Sequence, residues 1–234
     1  MGAGERAGSP HRAAQAPVVQ PEELAARHRA TAVDATVELR AAVDVVIGAG
    51  FAVEHVGEDG VVTARRLRTL PDRVGPGMRL LVCGLNPSLY SADRGFGFAR
   101  PGNRFWPAMR VAAGVSDPNE ALREGIGMTD LVKRATVAAA ELTRDEYAEG
   151  VARVERLCAA LQPGALLVVG FSGWRAAVDK RATAGWQPSA LGGVAVYVMP
   201  NTSGLNASTQ HDGFVEHLRA ALRGPADRGP GSVP

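Results

Sequence analysis

The stretch "LLVCGLNPSLYSADRGFGFARPGNRFW", residues 80–106, decides how this chain is read. It opens as an apolar run of strand length and breaks at Asn86-Pro87, because the residue before a proline is steered away from helix. Beyond the break come glycines, the aromatic residues Phe96, Phe98, Phe105 and Trp106, and the cations Arg94, Arg100 and Arg104, with Asp93 the lone carboxylate. A polar, glycine-rich segment at the carboxyl end of a buried strand is where open α/β sheets bind ligands.

The same grammar recurs further along. "GALLVVGF" (164–171) and "GVAVYVMPN" (193–201) are two more buried strands. The segments "NRFWPAMRVAAGV" (103–115), "TRDEYAEGVARVERLCAALQP" (143–163) and "SGWRAAVDKRA" (172–182) carry helical spacing. Asn103 is the expected cap of the first helix, and Thr143 with Glu146 has capping-box spacing at the start of the second. Buried strands alternating with helices predict an α/β fold: three α/β/α layers around a central, mainly parallel twisted sheet, over residues 74–222. Residues 21–73 predict a small N-terminal extension, a helix with a two-stranded ribbon turning at Asp59-Gly60. Residues 1–20 and 223–234, rich in Ala, Gly, Pro and Arg without periodicity, read as disordered tails.

At 234 residues, 46% hydrophobic and 21% charged, the chain can bury one principal core. A net charge of +2 neither requires nor excludes a nucleic-acid partner. Cys83 and Cys158 sit in apolar runs and cannot supply a CxxC metal site, a disulfide framework or the four ligands of an iron–sulfur cluster. Reduced, buried thiols are expected. No stretch approaches the roughly 18 apolar residues of a membrane span, and "MGAGERAGSPHRAAQAP" lacks a signal peptide's apolar segment, so a cytoplasmic protein with no membrane partner is expected.

Three strand ends then carry the chemistry: Gly84 to Ser91, Gly170 to Trp174, and Pro200 to Ser208. Asn86 cannot take a proton at neutral pH, but its amide can orient a water or bind a substrate amide; a turn cap before Pro87 is the plain alternative. The cluster Arg94, Arg100, Arg104 and Arg110 suits phosphates, and the interleaved rings suit stacking on bases. Helical setting assigns Phe105 and Trp106 to the core, whereas Phe98 lies in the glycine-rich loop with no periodic reason to be buried. In "MPNTSGLNAST", Leu205 is either a satellite core contact or an apolar wedge for a duplex.

These motifs, "GLNPSLYSADRGFGFARPGNRFW", then "GIGMTDLVKRAT", then "MPNTSGLN", resemble the mismatch-specific uracil/thymine DNA glycosylase family of the uracil-DNA glycosylase superfamily. The resemblance spans residues 74–222. It implies a monomeric enzyme that flips uracil, thymine or a damaged pyrimidine out of mismatched double-stranded DNA, excises it and leaves an abasic site, with no metal and no diffusible cofactor. It further implies that Asn86 positions the attacking water. Base contacts would come from Leu85, Ser88, Ser91 and Phe98, and Ser203, Gly204, Leu205 and Asn206 would form the wedge.

Departures from the family pattern are Ser88, where a glycine follows Asn-Pro; Ala207, where a basic residue can follow the wedge; and Asp130, at a position that need not be acidic. Asp130 reads as a helix or loop cap, or as a second polar handle if it faces the pocket. A glycosylase for hypoxanthine or xanthine, or a non-catalytic lesion-binding relative, is the alternative. A small-molecule phosphate binder ranks below both, since the loop lacks a GxxxxGK[ST] pattern.

Overall fold

The computed structural model describes residues 20–204 and 209–225. The first unit comprises α1 (Pro21–Ala30), β1 (Thr36–Leu39), α2 (Val43–Gly48), β2 (Phe51–Val56) and β3 (Val62–Arg66). Its three strands form an antiparallel sheet in the order β1-β3-β2 around Leu24, Leu39, Val46, Phe51, Val62 and Ala64. The hairpin turns at Asp59-Gly60: Asp59 Oδ1 accepts the Val61 N–H at 3.1 Å, and Gly60 takes φ +76°. Expecting helix then ribbon missed β1, because "TVEL" was read within a helical run. Its strand state comes from the ladder it forms with residues 62–65, a non-local pairing that local spacing does not reveal.

The second unit follows as β4 (Leu80–Gly84), α3 (Leu89–Arg94), α4 (Phe105–Ala113), α5 (Pro118–Arg123), β5 (Ile126–Asp130), α6 (Arg144–Leu161), β6 (Leu166–Val169), α7 (Phe171–Ala177), β7 (Gly185–Trp186), β8 (Val196–Met199) and α8 (His211–Arg223). Its sheet order is β5-β4-β6-β8-β7, parallel except for the short β7 at one edge. Strand alternation sends Leu81, Cys83, Leu166, Val168, Val196 and Val198 to one face, under Tyr147, Val154 and Cys158 of α6 and Trp174 of α7. The other face sends Leu80, Val82, Leu167, Val169, Tyr197 and Met199 against α4 and α8. These are the three expected layers around a mainly parallel sheet.

Three local details bear on the site. Thr143 and Glu146 close their capping box at the start of α6. Asn103 acts one position earlier than expected: Arg104 is the N-cap of α4, while Asn103 Oδ1 accepts the Phe105 N–H at 2.9 Å. The sequence "IGMTD", read only as a motif, is strand β5, and α8 runs on to Arg223.

Two bidentate ion pairs, Arg156–Asp44 and Arg68–Asp93, tie the N-terminal unit to the second. A buried cluster joins them at the centre. Asp72 Oδ1 accepts from Lys133 Nζ (2.8 Å) and Thr129 Oγ1 (2.7 Å), and Oδ2 accepts from Arg153 Nη1 (2.8 Å). The Asp72 N–H donates to the Gly48 carbonyl.

Candidate active site

The carboxyl ends of β4 and β5, with the loops 86–103 and 201–203, enclose a cavity of about 180 Å³. Asn86 begins where β4 ends. Its Nδ2 donates to the Arg134 carbonyl at 2.9 Å and to Thr136 Oγ1 at 2.8 Å. A main-chain carbonyl only accepts, so the nitrogen must face it and the amide orientation follows. Segment 134–136 is itself laced to the loop, since Thr136 N donates to the Pro87 carbonyl and Leu89 N to the Thr136 carbonyl. Asn86 borders the cavity, and its Oδ1 accepts no hydrogen bond among the described residues.

Ser88 is the N-cap of α3: its hydroxyl accepts the Ser91 N–H and donates to Ser91 Oγ, each at 3.1 Å. The hydroxyl that departs from the family pattern therefore stabilises a helix start at the cavity rim. Leu85 borders the cavity but directs its side chain toward the Leu131 side of the sheet, and its carbonyl accepts from Val132 N.

Phe98 holds φ +58°, a left-handed conformation that costs a non-glycine residue about 1–2 kcal/mol. Its ring stacks on Phe105 with centroids 4.0 Å apart and planes 18° from parallel. Trp106 Nε1 donates to the Gly97 carbonyl at 2.9 Å, holding the loop from the next helical position. Phe105 is buried and Trp106 half-buried, as helical setting implied, and together they support Phe98 as a rigid, half-buried platform on the cavity wall.

Asp130, in register with Gly84, ends β5 on the face that carries Met128, Phe98 and Phe105. A Cβ on Gly84 would lie 2.5 Å from Asp130 Oδ1 and 3.6 Å from Phe98 Cζ, so only glycine lets this carboxyl lie over β4 beside the platform. It is neither a helix nor a loop cap; its carboxyl makes no hydrogen bond among the described residues and borders the cavity. Burial pushes it up to about 6, with the nearby Asp72 adding to the rise and Lys133 and Arg153 opposing it. Neighbouring Thr129 points to the opposite face, into the Asp72 cluster.

The third strand end is anchored by Arg104. Its Nη1 donates to the Thr209 carbonyl (2.7 Å) and its Nη2 to the Ser203 carbonyl (3.2 Å), while the guanidinium lies over Phe214 at 4.7 Å. One side chain thus grips both stems of the intervening segment. Ser203 borders the cavity, and a Cβ on Gly204 would sit 3.2 Å from the Gly102 carbonyl. Leu205 and Asn206 lie outside the described residues, as does Ala207.

The arginine cluster is divided by these contacts. Arg104 is a structural clamp, Arg94 lies over Tyr90 at 5.3 Å, Arg100 is exposed at the cavity rim and Arg110 is exposed on α4. In "TARRLRTLPDR", Arg65 pairs with Asp34 and Glu54, Arg68 pairs with Asp93 and Arg73 bonds Asn119. Cys83 and Cys158 are free and buried, and burial raises both thiols far from ionisation at neutral pH. Among the described residues no group of three or more His, Cys, Asp or Glu side chains is placed to hold a metal ion, and no helix is long and apolar enough to cross a membrane.

The structure thus gathers Leu85, Asn86, Ser88, Ser91, Phe98 and Ser203 around one cavity, with Gly204 beside it. Sequence reasoning missed Thr136, which orients Asn86, and left Asp130 as either a cap or a second polar handle; the structure sets it on the cavity wall. The signal for Asp130 was a fourth strand, "IGMTD", whose carboxyl end falls beside that of "LLVCG".

A candidate uracil DNA glycosylase from Methanosarcina acetivorans, solved in solution by NMR, aligns at 15% identity and a TM-score of 0.46, covering 67% of this chain and 96% of that one. The model of the uracil DNA glycosylase superfamily matches residues 71–223, which include every described part of the cavity. The chain belongs to the uracil DNA glycosylase superfamily, hydrolases of DNA repair that cut the bond between base and sugar.

Proposed function

We propose that this protein hydrolyses the N-glycosidic bond of uracil extruded from a mismatched position in double-stranded DNA, leaving an abasic site. The observation that carries the reading is the amide of Asn86, a residue on the cavity wall: its nitrogen is committed to Arg134 and Thr136, and its oxygen accepts no hydrogen bond among the described residues. An amide oxygen fixed in this way accepts a hydrogen bond from a water and aims it without competing as a base.

The extruded base stacks on Phe98, whose ring cannot retreat because Phe105 lies 4.0 Å behind it. The water oxygen then bonds to C1′ of the sugar, and the C1′–N bond breaks with its electron pair on the base. The water's surplus proton passes to solvent, since Asn86 cannot take it. Such a step leans on stabilising the departing anion more than on a strong base, which fits an amide as the group that holds the water. Ser203, Gly204, Leu205 and Asn206 would fill the gap in the duplex, with Arg104 holding both stems of that segment.

The test is base release from a labelled duplex with a single uracil opposite guanine, followed by alkaline cleavage. Wild type cuts, and Asn86→Ala keeps its affinity for the duplex but loses about 100-fold or more in single-turnover rate, the scale of a lost positioning contact. A wild type that binds this duplex and releases no base refutes the reading.

A further inference from the structure

We propose that Thr69, on the segment that leaves the N-terminal unit, is a positioning residue for excision: through the main chain at Lys133 it holds the Arg134 carbonyl that fixes the amide of Asn86. The inference rests on the excision reading above and gives the N-terminal unit a part in that same site.

Successive carbonyls of one short stretch go to two different partners. The Lys133 carbonyl accepts from Thr69 Oγ1, and the Arg134 carbonyl accepts from Asn86 Nδ2 at 2.9 Å. The peptide plane of Lys133 is rigid, so only the φ and ψ of Arg134 lie between the two. Asp72 grips the same residue from the same segment, accepting from Lys133 Nζ at 2.8 Å. The sheet and α6 hold the flanks: Val132 N donates to the Leu85 carbonyl, Thr136 N to the Pro87 carbonyl, and the Arg134 guanidinium to both oxygens of Glu146.

Thr69 is itself seated by the N-terminal unit. It is buried, and its N–H donates to the Leu67 carbonyl, which also takes the bond from His28 Nε2; Leu67 N in turn donates to the Gly50 carbonyl. Gly50 holds φ +92°, and a Cβ there would lie 2.9 Å from Thr69 Cγ2, so the glycine leaves the methyl its place while the hydroxyl faces Lys133. Removing the hydroxyl strips a buried carbonyl of a donor, and the stretch shifts to recover one.

The charge of the N-terminal unit argues against a phosphate-binding role in its place. Residues 21–73 carry nine carboxylates against seven arginines, and Arg40, Arg65 and Arg68 are paired with carboxylates. A unit of that balance does not draw in a polyanion. Its influence on excision runs through protein contacts, and Thr69 is the contact that reaches Asn86.

The experiment compares wild type, Thr69→Val, Thr69→Ser, Asn86→Ala and the double variant Thr69→Val with Asn86→Ala on the duplex carrying uracil opposite guanine. Duplex affinity and single-turnover rate are read at a temperature where circular dichroism shows each protein folded. Thr69→Val, which loses the hydroxyl and keeps the shape, should retain affinity and slow roughly 10-fold, the scale of a small misplacement. Thr69→Ser should restore the rate. In the Asn86→Ala background the same Thr69→Val change should alter the rate by less than about twofold, because the amide it serves is gone. A merely structural role would slow both backgrounds alike. Should Thr69→Val fail to fold, Thr69→Ala takes its place in the same comparison. A folded variant lacking the hydroxyl that cuts within about twofold of wild type, a loss confined to duplex affinity, a Thr69→Ser no faster than Thr69→Val, or the full loss repeated without Asn86 would each overturn the assignment. A wild type inactive on uracil fails earlier, at the excision reading, and takes this inference with it.

Discussion

Asp72→Asn removes one negative charge from the buried cluster that joins the N-terminal unit to the sheet. Side chains of Asp72, Lys133 and Arg153 are each 6% exposed, and the carboxylate accepts bonds of 2.7–2.8 Å from Lys133, Arg153 and Thr129. An amide of the same shape turns an NH₂ toward these donors and leaves two cations without a counter-charge. Arg153 in particular cannot shed its proton, so its charge stays buried. Breaking one side of a buried ion pair costs about 3–5 kcal/mol, which for a chain of this size lowers the melting temperature by roughly 6–20 °C. Calorimetry at pH 7 with urea unfolding measures both quantities.

The pH dependence supplies a second check. Burial alone would raise the Asp72 carboxyl, but the charges of Arg153 and Lys133 outweigh it and hold it below the usual carboxylate range. Its folded value is depressed, so the stabilisation is present above about pH 3.9 and disappears as pH falls through the lower folded value. The gap between wild type and variant should therefore close only in acid. Adding Lys133→Met to Asp72→Asn should recover part of the loss. A destabilisation under about 1 kcal/mol at pH 7 would refute the reasoning, because the cluster would then be open to water.

Phe98→Gly relieves the left-handed backbone strain while removing the platform. Its melting temperature should change little, and excision should fall roughly 5–150-fold, the 1–3 kcal/mol of a lost base stack; unchanged excision would remove Phe98 from the site. Arg104→Leu should speed proteolytic cleavage between Ser203 and Thr209 and weaken duplex binding, and an unchanged cleavage rate would show that the clamp does not hold the segment. His28 Nε2 donates to the Leu67 carbonyl, leaving Nδ1 buried without a partner; burial, then the Arg66 charge, lower its titration to about 4. A histidine depressed in this way stays neutral when folded, so stability should decline as pH falls from 6.5 toward 4. His28→Leu should flatten that part of the profile, and a slope that persists would assign it to another group.

The fold was legible where the chain's local chemistry leaves no alternative. "LLVCG", "LLVV" and "VYVM" are apolar on both alternating faces, which only a covered parallel sheet accommodates, and the capping box at Thr143 marks its helix without help from the rest of the molecule. β1 was missed because its ladder partner lies 23 to 29 residues away, and β5 because "IGMTD" is too mixed in polarity to declare itself alone.

By itself the sequence determined a central α/β layer structure, a polar break at Asn86, a loop aromatic at Phe98 and a resemblance carried by three separated motifs. Tertiary structure alone decided which way each of these groups faces. Thr136, fifty residues from Asn86, fixes the amide; Phe105 backs Phe98 and keeps its ring in place. Arg104 is drawn from the phosphate-binding set into the clamp on Ser203 and Thr209, and Asp130 becomes part of the cavity because β5 pairs with β4 in a register that sets it against Gly84. The physical reason is the same in each case. Residue type and spacing report what a side chain can do and which face of its own element it occupies, whereas hydrogen-bond partners, desolvation and stacking depend on the residues that distant strands and loops bring within about 4 Å.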